Sequence, residues 1–280
     1  MVCKVELLCI GNELLIGKTL NTNAQWLSEK ITKLGGDVTR VTAVGDDVTA
    51  IASTIKDVLK RKPDIVITSG GLGPTFDDKT LSAFSKAFGR QLQLNKNALK
   101  LVRSKYAKIL RKRNLPLTAP RVKMAILPVG AKAVPNPIGT APAVTLTERN
   151  VKFIILPGVP AELQAIFQKS FSKLIKRMAG KQFFYESSFI ILGLLESQIA
   201  PLIEQVMNAV PGVYIKSHAK EGEGTKKSHI ELHFSAKANN GRVVKQRIIQ
   251  TVTLISELLG KPNLPIQVAK KSSKRKSQIA

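Results

Sequence analysis

The sequence IVITSGGLGPTFDD, residues 65–78, joins an apolar run to a glycine-rich turn and two adjacent carboxylates. Residues 65–67 are typical of a buried strand. The turn at 70–73 lets backbone N–H groups approach an anion closely, whereas Asp77 and Asp78 repel phosphate unless a cation lies between. The stretch therefore predicts a site for a phosphorylated ligand and a divalent cation. The alternative is a tight turn into a helix that one of the aspartates caps.

Strand and helix patterns alternate on both sides of this turn. Strands are predicted at 2–10, 37–44, 64–68, 125–127, 144–146 and 151–156, and helices at 21–34, 50–59, 94–113 and from about 79 and 161. The alternation predicts a doubly wound α/β domain, in which ligands bind beyond the carboxyl ends of the strands. That rule places Gly11, Asn12 and Glu13 on the same edge of the sheet as the glycine-rich turn.

The pattern of the chain changes after residue 181. A β-α-β-β-α order there predicts a small α+β domain, with domain bounds of 1–178 and 179–262 and a basic, disordered tail at 263–280. Its strands are predicted at 183–192, 213–217 and 228–236, its helices at 196–208 and 242–259, and its hairpin loop at 222–224.

One strand of this small domain alternates cleanly between polar and apolar residues. His229, Glu231 and His233 share one face of the strand, and the apolar residues between them share the other. Three such side chains could ligate a metal ion. A solvent-facing strand surface is the alternative, and it is favoured because the sequence places no further ligand.

Basic residues outnumber acidic ones by 44 to 19, which gives a formal net charge of +25. Basic clusters at 100–113 and 270–280 allow two interpretations, namely nucleic-acid binding or a solvated helix face and tail. An aromatic content of 5% provides no visible stacking platform for bases and favours the second interpretation. With 280 residues, 44% of them hydrophobic, the chain is long enough for one large and one small domain.

No apolar run approaches the length of a membrane span, and the first residues lack a signal-peptide pattern. We therefore expect a cytoplasmic protein with no membrane partner. In that compartment Cys3 and Cys9 are expected to be buried, reduced thiols. We also expect a homo-oligomer.

Four segments, in this order and spacing, resemble the N-terminal domain of the competence/damage-inducible CinA family. They are GNELL at 11–15 with NTN at 21–23, the turn at 70–78, PNPIGTAP at 135–142, and LPGVP at 156–160. That domain is similar to the molybdopterin-binding fold of molybdenum cofactor biosynthesis proteins of the MoaB and Mog type. The resemblance covers residues 1–260 and does not imply the activity of the amidase-like domain that bacterial members carry.

The resemblance implies a three-layer α/β domain of molybdopterin-binding type that binds a phosphorylated nucleotide or pterin. It also implies metal-dependent hydrolysis of an ADP-ribose-like pyrophosphate. Asp78 falls where relatives keep an aspartate used in metal-assisted chemistry, and Asp77 follows the CinA pattern. These two are the expected catalytic residues, and with Glu13 they are expected to hold Mg, Mn or Co. The expected phosphate and ligand contacts are Ser69, Gly70, Gly71, Gly73, Asn136, Gly139, Thr140 and Gly158.

Two other functions remain open from the sequence. The same pocket could hold a molybdopterin-like ligand without turnover, because fold does not fix function. The basic helix and tail could instead bind nucleic acid. The small domain has the element order of an RNA-binding KH domain but lacks a Gly-x-x-Gly loop between its helices.

Overall fold

A computed structural model describes residues 3–111, 116–221 and 229–260. The chain divides into two compact units, with the boundary between Gly180 and Lys181. The predicted hairpin loop at 222–224 and the predicted tail at 263–280 lie outside the described residues.

The first unit is built on a six-stranded sheet. The strands of this unit are β1 (Lys4–Ile10), β2 (Asp37–Val44), β3 (Ile65–Ser69), β4 (Leu92–Leu94), β5 (Ile126–Pro128), β6 (Lys132–Val134), β7 (Ala143–Glu148) and β8 (Val151–Leu156). Strands β4 and β5 form a separate two-stranded pair, and the other six form the sheet. The order across the sheet is β2-β1-β3-β8-β7-β6. Strands β2, β1, β3 and β8 run parallel, and β7 and β6 continue the sheet antiparallel.

The helices of this unit cover both faces of the sheet. They are α1 (Asn12–Leu15), α2 (Thr22–Lys33), α3 (Val48–Arg61), α4 (Thr80–Phe88), α5 (Lys96–Ile109), α6 (Ala119–Lys123), α7 (Pro160–Ile166) and α8 (Ser172–Ala179), with a π-helical turn at Phe167–Phe171. Along β1, Leu7 and Cys9 pack with α2, α7 and α8, whereas Leu8 and Ile10 pack with α3, α4 and α5. This alternation confirms the three-layer α/β architecture, because each central strand is buried on both sides.

Most predicted elements of this unit agree with the structure to within two residues, and β2 and β8 agree at both ends. The three-residue strands β4 and β6 were not predicted, because they carry no buried apolar run. The prediction for α5 was wrong at its carboxyl end. The helix was predicted to continue to residue 113 but ends at Ile109, and Ile109 and Leu110 are 58% and 41% exposed because the core contacts of α5 come from its earlier turns.

The second unit has the predicted β-α-β-β-α order. Its elements are β9 (Phe183–Leu192), α9 (Glu196–Ala209), β10 (Val213–Glu221), β11 (His229–Ala238) and α10 (Gly241–Leu258). The antiparallel sheet has the order β10-β11-β9, and α9 and α10 share one core with it.

The polar face of β11 lies away from that core, as the alternation predicted. The apolar residues of the strand are buried, whereas His229 is exposed and Glu231 and His233 are partly exposed. Within the described parts of the chain, no three His, Cys, Asp or Glu side chains are grouped so that they could hold a metal ion. A metal site on β11 is therefore not supported by the structure.

Two further sequence expectations concern membrane spans and cysteines. None of the helices that the structure describes has both the length and the apolarity to cross a lipid bilayer. Cys3 and Cys9 are both buried and not disulfide-bonded, as predicted.

An ion pair with a buried carboxylate joins β1 to the end of α3. The Nε and Nη2 atoms of Arg61 donate to the two carboxylate oxygens of Glu6 at 2.8 and 2.7 Å. The Glu6 side chain is 5% exposed and that of Arg61 is 32% exposed. The hydrogen bond to Glu6 is the main reason why the pKa of Arg61 is raised. The pair satisfies a carboxylate that the sheet would otherwise bury without a partner.

We predict that Arg61→Leu lowers the free energy of unfolding by about 2–3 kcal/mol, because Glu6 then stays buried without its bidentate partner. Chemical denaturation measures the change. The matched control is Glu29→Gln, which removes an exposed pair with Lys33 and should cost less than about 1 kcal/mol. The double variant Glu6→Leu with Arg61→Leu should recover most of the loss. An Arg61→Leu protein as stable as the parent would contradict the assigned role of the pair.

Candidate functional site

The carboxyl ends of the parallel strands β1, β3 and β8 open onto one cavity of about 370 Å³. Gly11 follows β1, Gly70 follows β3 and Gly158 follows β8, and all three line the cavity. Doubly wound sheets bind their ligands at this edge. The strand ends that the sequence predicted to share one edge of the sheet therefore line one cavity in the structure.

The glycine-rich turn packs tightly against neighbouring backbone. Gly70 and Gly71 have φ values of +109° and +67°, which favour glycine. A Cβ atom at Gly70 would clash with the carbonyl oxygen of Ile10, and one at Gly158 would lie 3.4 Å from the Cα of Gly70. The Oγ1 atom of Thr80 donates to the carbonyl oxygen of Gly70 at 2.9 Å and ties the turn to α4. The floor of the cavity is therefore made largely of bare backbone.

The two aspartates lie on a short turn that closes on itself. The backbone N–H of Asp78 donates to the carbonyl oxygen of Thr75 at 3.3 Å, so Phe76 and Asp77 occupy the middle of the turn. Oδ2 of Asp78 accepts from the Thr75 backbone N–H at 2.8 Å and lies 2.6 Å from the Thr75 hydroxyl, which also contacts Asp77. The Lys123 ammonium donates to the Thr75 carbonyl oxygen. Both carboxylates are thus oriented before any ligand arrives.

The pKa of Asp77 is lowered, chiefly by the hydrogen bond from Thr75. Its own backbone N–H and the charges of Lys123 and Lys79 act in the same direction. Helix α4 begins at Thr80 with no side-chain cap, so neither aspartate caps it. The carboxylates therefore belong to the turn and the cavity, and the helix-capping alternative is wrong.

Asn136 organises the loop on the opposite wall and is 3% exposed. Its Oδ1 atom accepts from the backbone N–H groups of Ile138 and Gly139 at 3.0 and 2.8 Å. Its Nδ2 atom donates to the Ala141 carbonyl oxygen at 2.9 Å and to Oε2 of Glu162 at 2.6 Å. The amide is fully engaged within the protein and orders the loop that contributes Thr140 and Ala141 to the cavity lining.

The structure brings together most of the residues that the sequence assigned to the site. Those that line the cavity are Glu13, Gly70, Gly71, Gly73, Asp77, Asp78, Thr140 and Gly158. Those that lie behind its wall are Ser69, Asn136 and Gly139. Ser69 is 4% exposed at the end of β3, and Gly139 lies so close to the Glu162 carboxylate that a Cβ atom would displace it.

Two carboxylates of the cavity were missed by the sequence analysis, Asp46 and Glu162. Asp46 follows β2 and exchanges two hydrogen bonds with Asn12, at 2.8 and 3.1 Å. Because Asp46 comes just after a predicted parallel strand, the sequence could have indicated that it lies at the ligand-binding edge of the sheet. Glu162 lies in the first turn of α7. A carboxylate is common there because it stabilises the helix dipole, so the position of Glu162 in the sequence did not indicate a site.

The cavity is strongly acidic although the chain as a whole is basic. Its lining carries the carboxylates of Glu13, Asp46, Asp77, Asp78 and Glu162, and none of its lining residues in the described chain is Lys or Arg. A phosphorylated ligand in this field needs a cation. No three carboxylates are arranged as a ready-made metal cage in the described residues. Magnesium commonly uses one or two carboxylates together with substrate phosphates and water, and the donor set fits that mode.

Comparison with known proteins places this geometry in a family. The model of the family described as "Probable molybdopterin binding domain" matches residues 6–177. A protein of Metallosphaera sedula is 40% identical over 252 residues, covering 90% of this chain and 92% of that protein. A protein of Aeropyrum pernix is 44% identical over 217 residues, covering 78% and 79%. The crystal structure of the protein CinA, of unknown function, from Thermoplasma acidophilum matches with a TM-score of 0.56 at 38% identity, covering 61% of this chain and 98% of that one.

The match over residues 6–177 shows that the first unit belongs to the family of probable molybdopterin-binding domains. Within that class the chain belongs to the CinA family, as the 38% identity across almost the whole Thermoplasma chain shows. The resemblance and the α/β fold class that the sequence predicted are thereby confirmed.

We predict that Asn136→Asp destabilises the first unit in a pH-dependent way. The new carboxyl group keeps the acceptor for Ile138 and Gly139 but faces the Glu162 carboxylate, so one of the two acids has a raised pKa in the folded state. The folded variant is therefore favoured below the ordinary acid pKa and loses stability as pH rises toward 7, by about 2–4 kcal/mol.

Denaturant unfolding at pH 4.5 and pH 7 (each relative to the parent protein) measures the effect. Asn136→Ala is the matched control, because it removes the same hydrogen bonds without adding a charge and should cost a similar amount at both pH values. If Asn136→Asp showed no more pH dependence than Asn136→Ala, the 2.6 Å contact with Glu162 would not describe the protein in solution.

Proposed function

We propose that this CinA-family protein hydrolyses the diphosphate bond of an ADP-ribose-like nucleotide with the help of a divalent cation. The observation that carries the proposal is that one cavity is lined by both a bare glycine-rich backbone and two pre-oriented aspartates. The first of these suits phosphate and the second suits a hard cation. A site with both features is suited to a metal-bound diphosphate.

The glycine-rich turn has the role of receiving the phosphates. With φ values of +109° and +67°, Gly70 and Gly71 present backbone in place of side chains. Thr140 and Gly158 line the facing wall of the cavity and would hold the remainder of the ligand. Because these contacts come from backbone anchored to strand ends, little reorganisation is needed on binding.

Asp77 and Asp78 have the role of holding the cation, with Glu13 on the neighbouring wall. A bound divalent ion such as Mg, Mn or Co would neutralise the diphosphate and lower the pKa of a coordinated water. Thr75 keeps both carboxylates in place through its hydroxyl and backbone N–H. The lowered pKa of Asp77 keeps that carboxylate charged well into the acidic range, so its capacity to bind a cation should persist below neutral pH.

We predict that Asp78→Asn abolishes cation-dependent turnover, by at least about 100-fold in kcat/KM, while the fold is kept. The amide conserves size and one acceptor oxygen but removes the charge. Hydrolysis of ADP-ribose at increasing manganese concentration measures the loss, and circular dichroism checks the fold.

Asp57→Asn, at an exposed aspartate of α3, is the matched control and should leave the rate unchanged. In the absence of metal, Asp78→Asn should bind the diphosphate more tightly than the parent, because one carboxylate–phosphate repulsion is gone. A variant with the rate of the parent protein would remove Asp78 from the proposed chemistry.

The second candidate is a binding module that holds a molybdopterin-like ligand without turnover. Membership of the molybdopterin-binding class supports it, and the same cavity would serve. It predicts a phosphorylated-pterin affinity that does not depend on metal, together with no release of phosphate products from nucleotide diphosphates. The metal titration above separates it from the hydrolase proposal.

The third candidate is nucleic-acid binding, which the net charge of +25 favours. It predicts an affinity that falls steeply with salt and is the same for the parent protein and Asp78→Asn, because phosphate contacts on a basic surface do not involve the cavity.

A further inference from the structure

One large apolar side chain, next in sequence to a cavity-lining aspartate, is largely exposed in the part of the chain that the structure describes. Phe76 is 87% exposed, although it occupies the middle of the turn that carries Asp77. The residues around it are firmly bound. Thr75 and Asp78 exchange backbone and side-chain hydrogen bonds, and Lys123 donates to the Thr75 carbonyl oxygen. The turn therefore holds an aromatic ring in solvent one residue away from a cavity-lining carboxylate.

Two further exposed apolar side chains belong to the segments that form the cavity. Val159 lines the cavity and is 53% exposed, and Ile138, on the loop that Asn136 organises, is 57% exposed. The cavity lining combines acidic residues and glycines with apolar side chains such as Ile10, Leu72 and Val159. A ligand made of phosphate alone would gain nothing from these apolar side chains, whereas a ligand with a planar apolar ring at one end could bury the ring against them.

We propose that Phe76 is a specificity-determining residue that stacks on the planar heterocycle of the ligand, a nucleobase or a pterin, while the phosphates lie over the glycine-rich turn. The proposal rests on the proposed function, since it presupposes a phosphorylated ligand in this cavity. It adds a subsite for the ring at the mouth and assigns it to a named side chain. Adjacent residues of one turn then have different roles, with Phe76 binding the ring and Asp77 binding the cation that neutralises the phosphates.

Stacking is suited to this position for two reasons. An aromatic ring held by a hydrogen-bonded turn loses little freedom on binding, and its polarisable face fits any planar base. The protein also has few aromatic residues, 5% of the chain, so a fully exposed phenylalanine at the site is not a by-product of an aromatic-rich surface. Most of the other phenylalanines in the described first unit are buried in its core.

The test compares two non-hydrolysable probes on the full chain with magnesium, using calorimetry. α,β-Methylene-ADP carries a base, and methylenediphosphonate carries the same diphosphonate group without one. Phe76→Ala should weaken binding of α,β-methylene-ADP by about 5- to 100-fold, and binding of methylenediphosphonate by less than twofold. Phe76→Trp should keep the affinity for α,β-methylene-ADP, and its added fluorescence should be quenched when the base stacks.

Phe183→Ala is the matched control, because Phe183 is also exposed, at 48%, but lies on β9 of the second unit. It should bind both probes like the parent protein. Equal affinity of Phe76→Ala and the parent for α,β-methylene-ADP would overturn the stacking role and leave the proposed function standing. A second result would also overturn it: unchanged affinity of Phe76→Ala together with a lower molecular mass in sedimentation. That result would assign the ring to a contact between copies of the chain. If the parent protein bound neither probe, the subsite and the proposed function would both fall.

Discussion

The close approach of backbone at the ends of three parallel strands is the constraint on which the site depends. Gly70 follows β3 and lies so near the carbonyl oxygen of Ile10, at the end of β1, that no side chain fits between them. Gly158, after β8, closes the same junction from the other side. Because no side chain covers these strand ends, a ligand can approach the backbone closely, although the N–H groups of Gly11 and Gly70 donate to the carbonyl oxygens of Val44 and Leu156. The core beneath, buried on both faces of the sheet, holds the three ends in register.

The second organising feature is the opposition between the charge of the chain and that of its cavity. A net charge of +25 produces a long-range field that attracts anions, whereas five carboxylates line the cavity itself. Screening in salt weakens the first effect over about 8–10 Å, while the second acts at contact distance. An anionic ligand can thus be drawn to the protein in general and still require a cation to enter this particular site. The proposed metal dependence therefore rests on the local charges of the cavity and not on the overall charge of the chain.

The sequence predicted the backbone of the site better than its side chains. Glycine and proline mark turns by their own conformational properties, and buried parallel strands are recognisable by their apolar runs, so the strand ends and the turn at 70–73 could be located. Hydrogen-bond partners that lie far apart in the sequence could not be predicted in this way. Nothing in the sequence indicated that the amide of Asn136 hydrogen-bonds to its own loop and to Glu162, 26 residues away. Short exposed strands such as β4 leave no apolar pattern to detect.

The hydrogen bonds of Thr75 make the two aspartates of the turn differ from each other. Its hydroxyl has one proton and two carboxylates within reach, so it can donate to only one of Asp77 and Asp78 at a time. Asp78 keeps the Thr75 backbone N–H in either case, whereas Asp77 depends more on the hydroxyl. The two aspartates are therefore inequivalent: one is held by backbone and one by a rotatable group. A cation arriving at the turn would meet one fixed ligand and one adjustable ligand, an arrangement that allows the site to accommodate a change in ligand charge without movement of the strands beneath it.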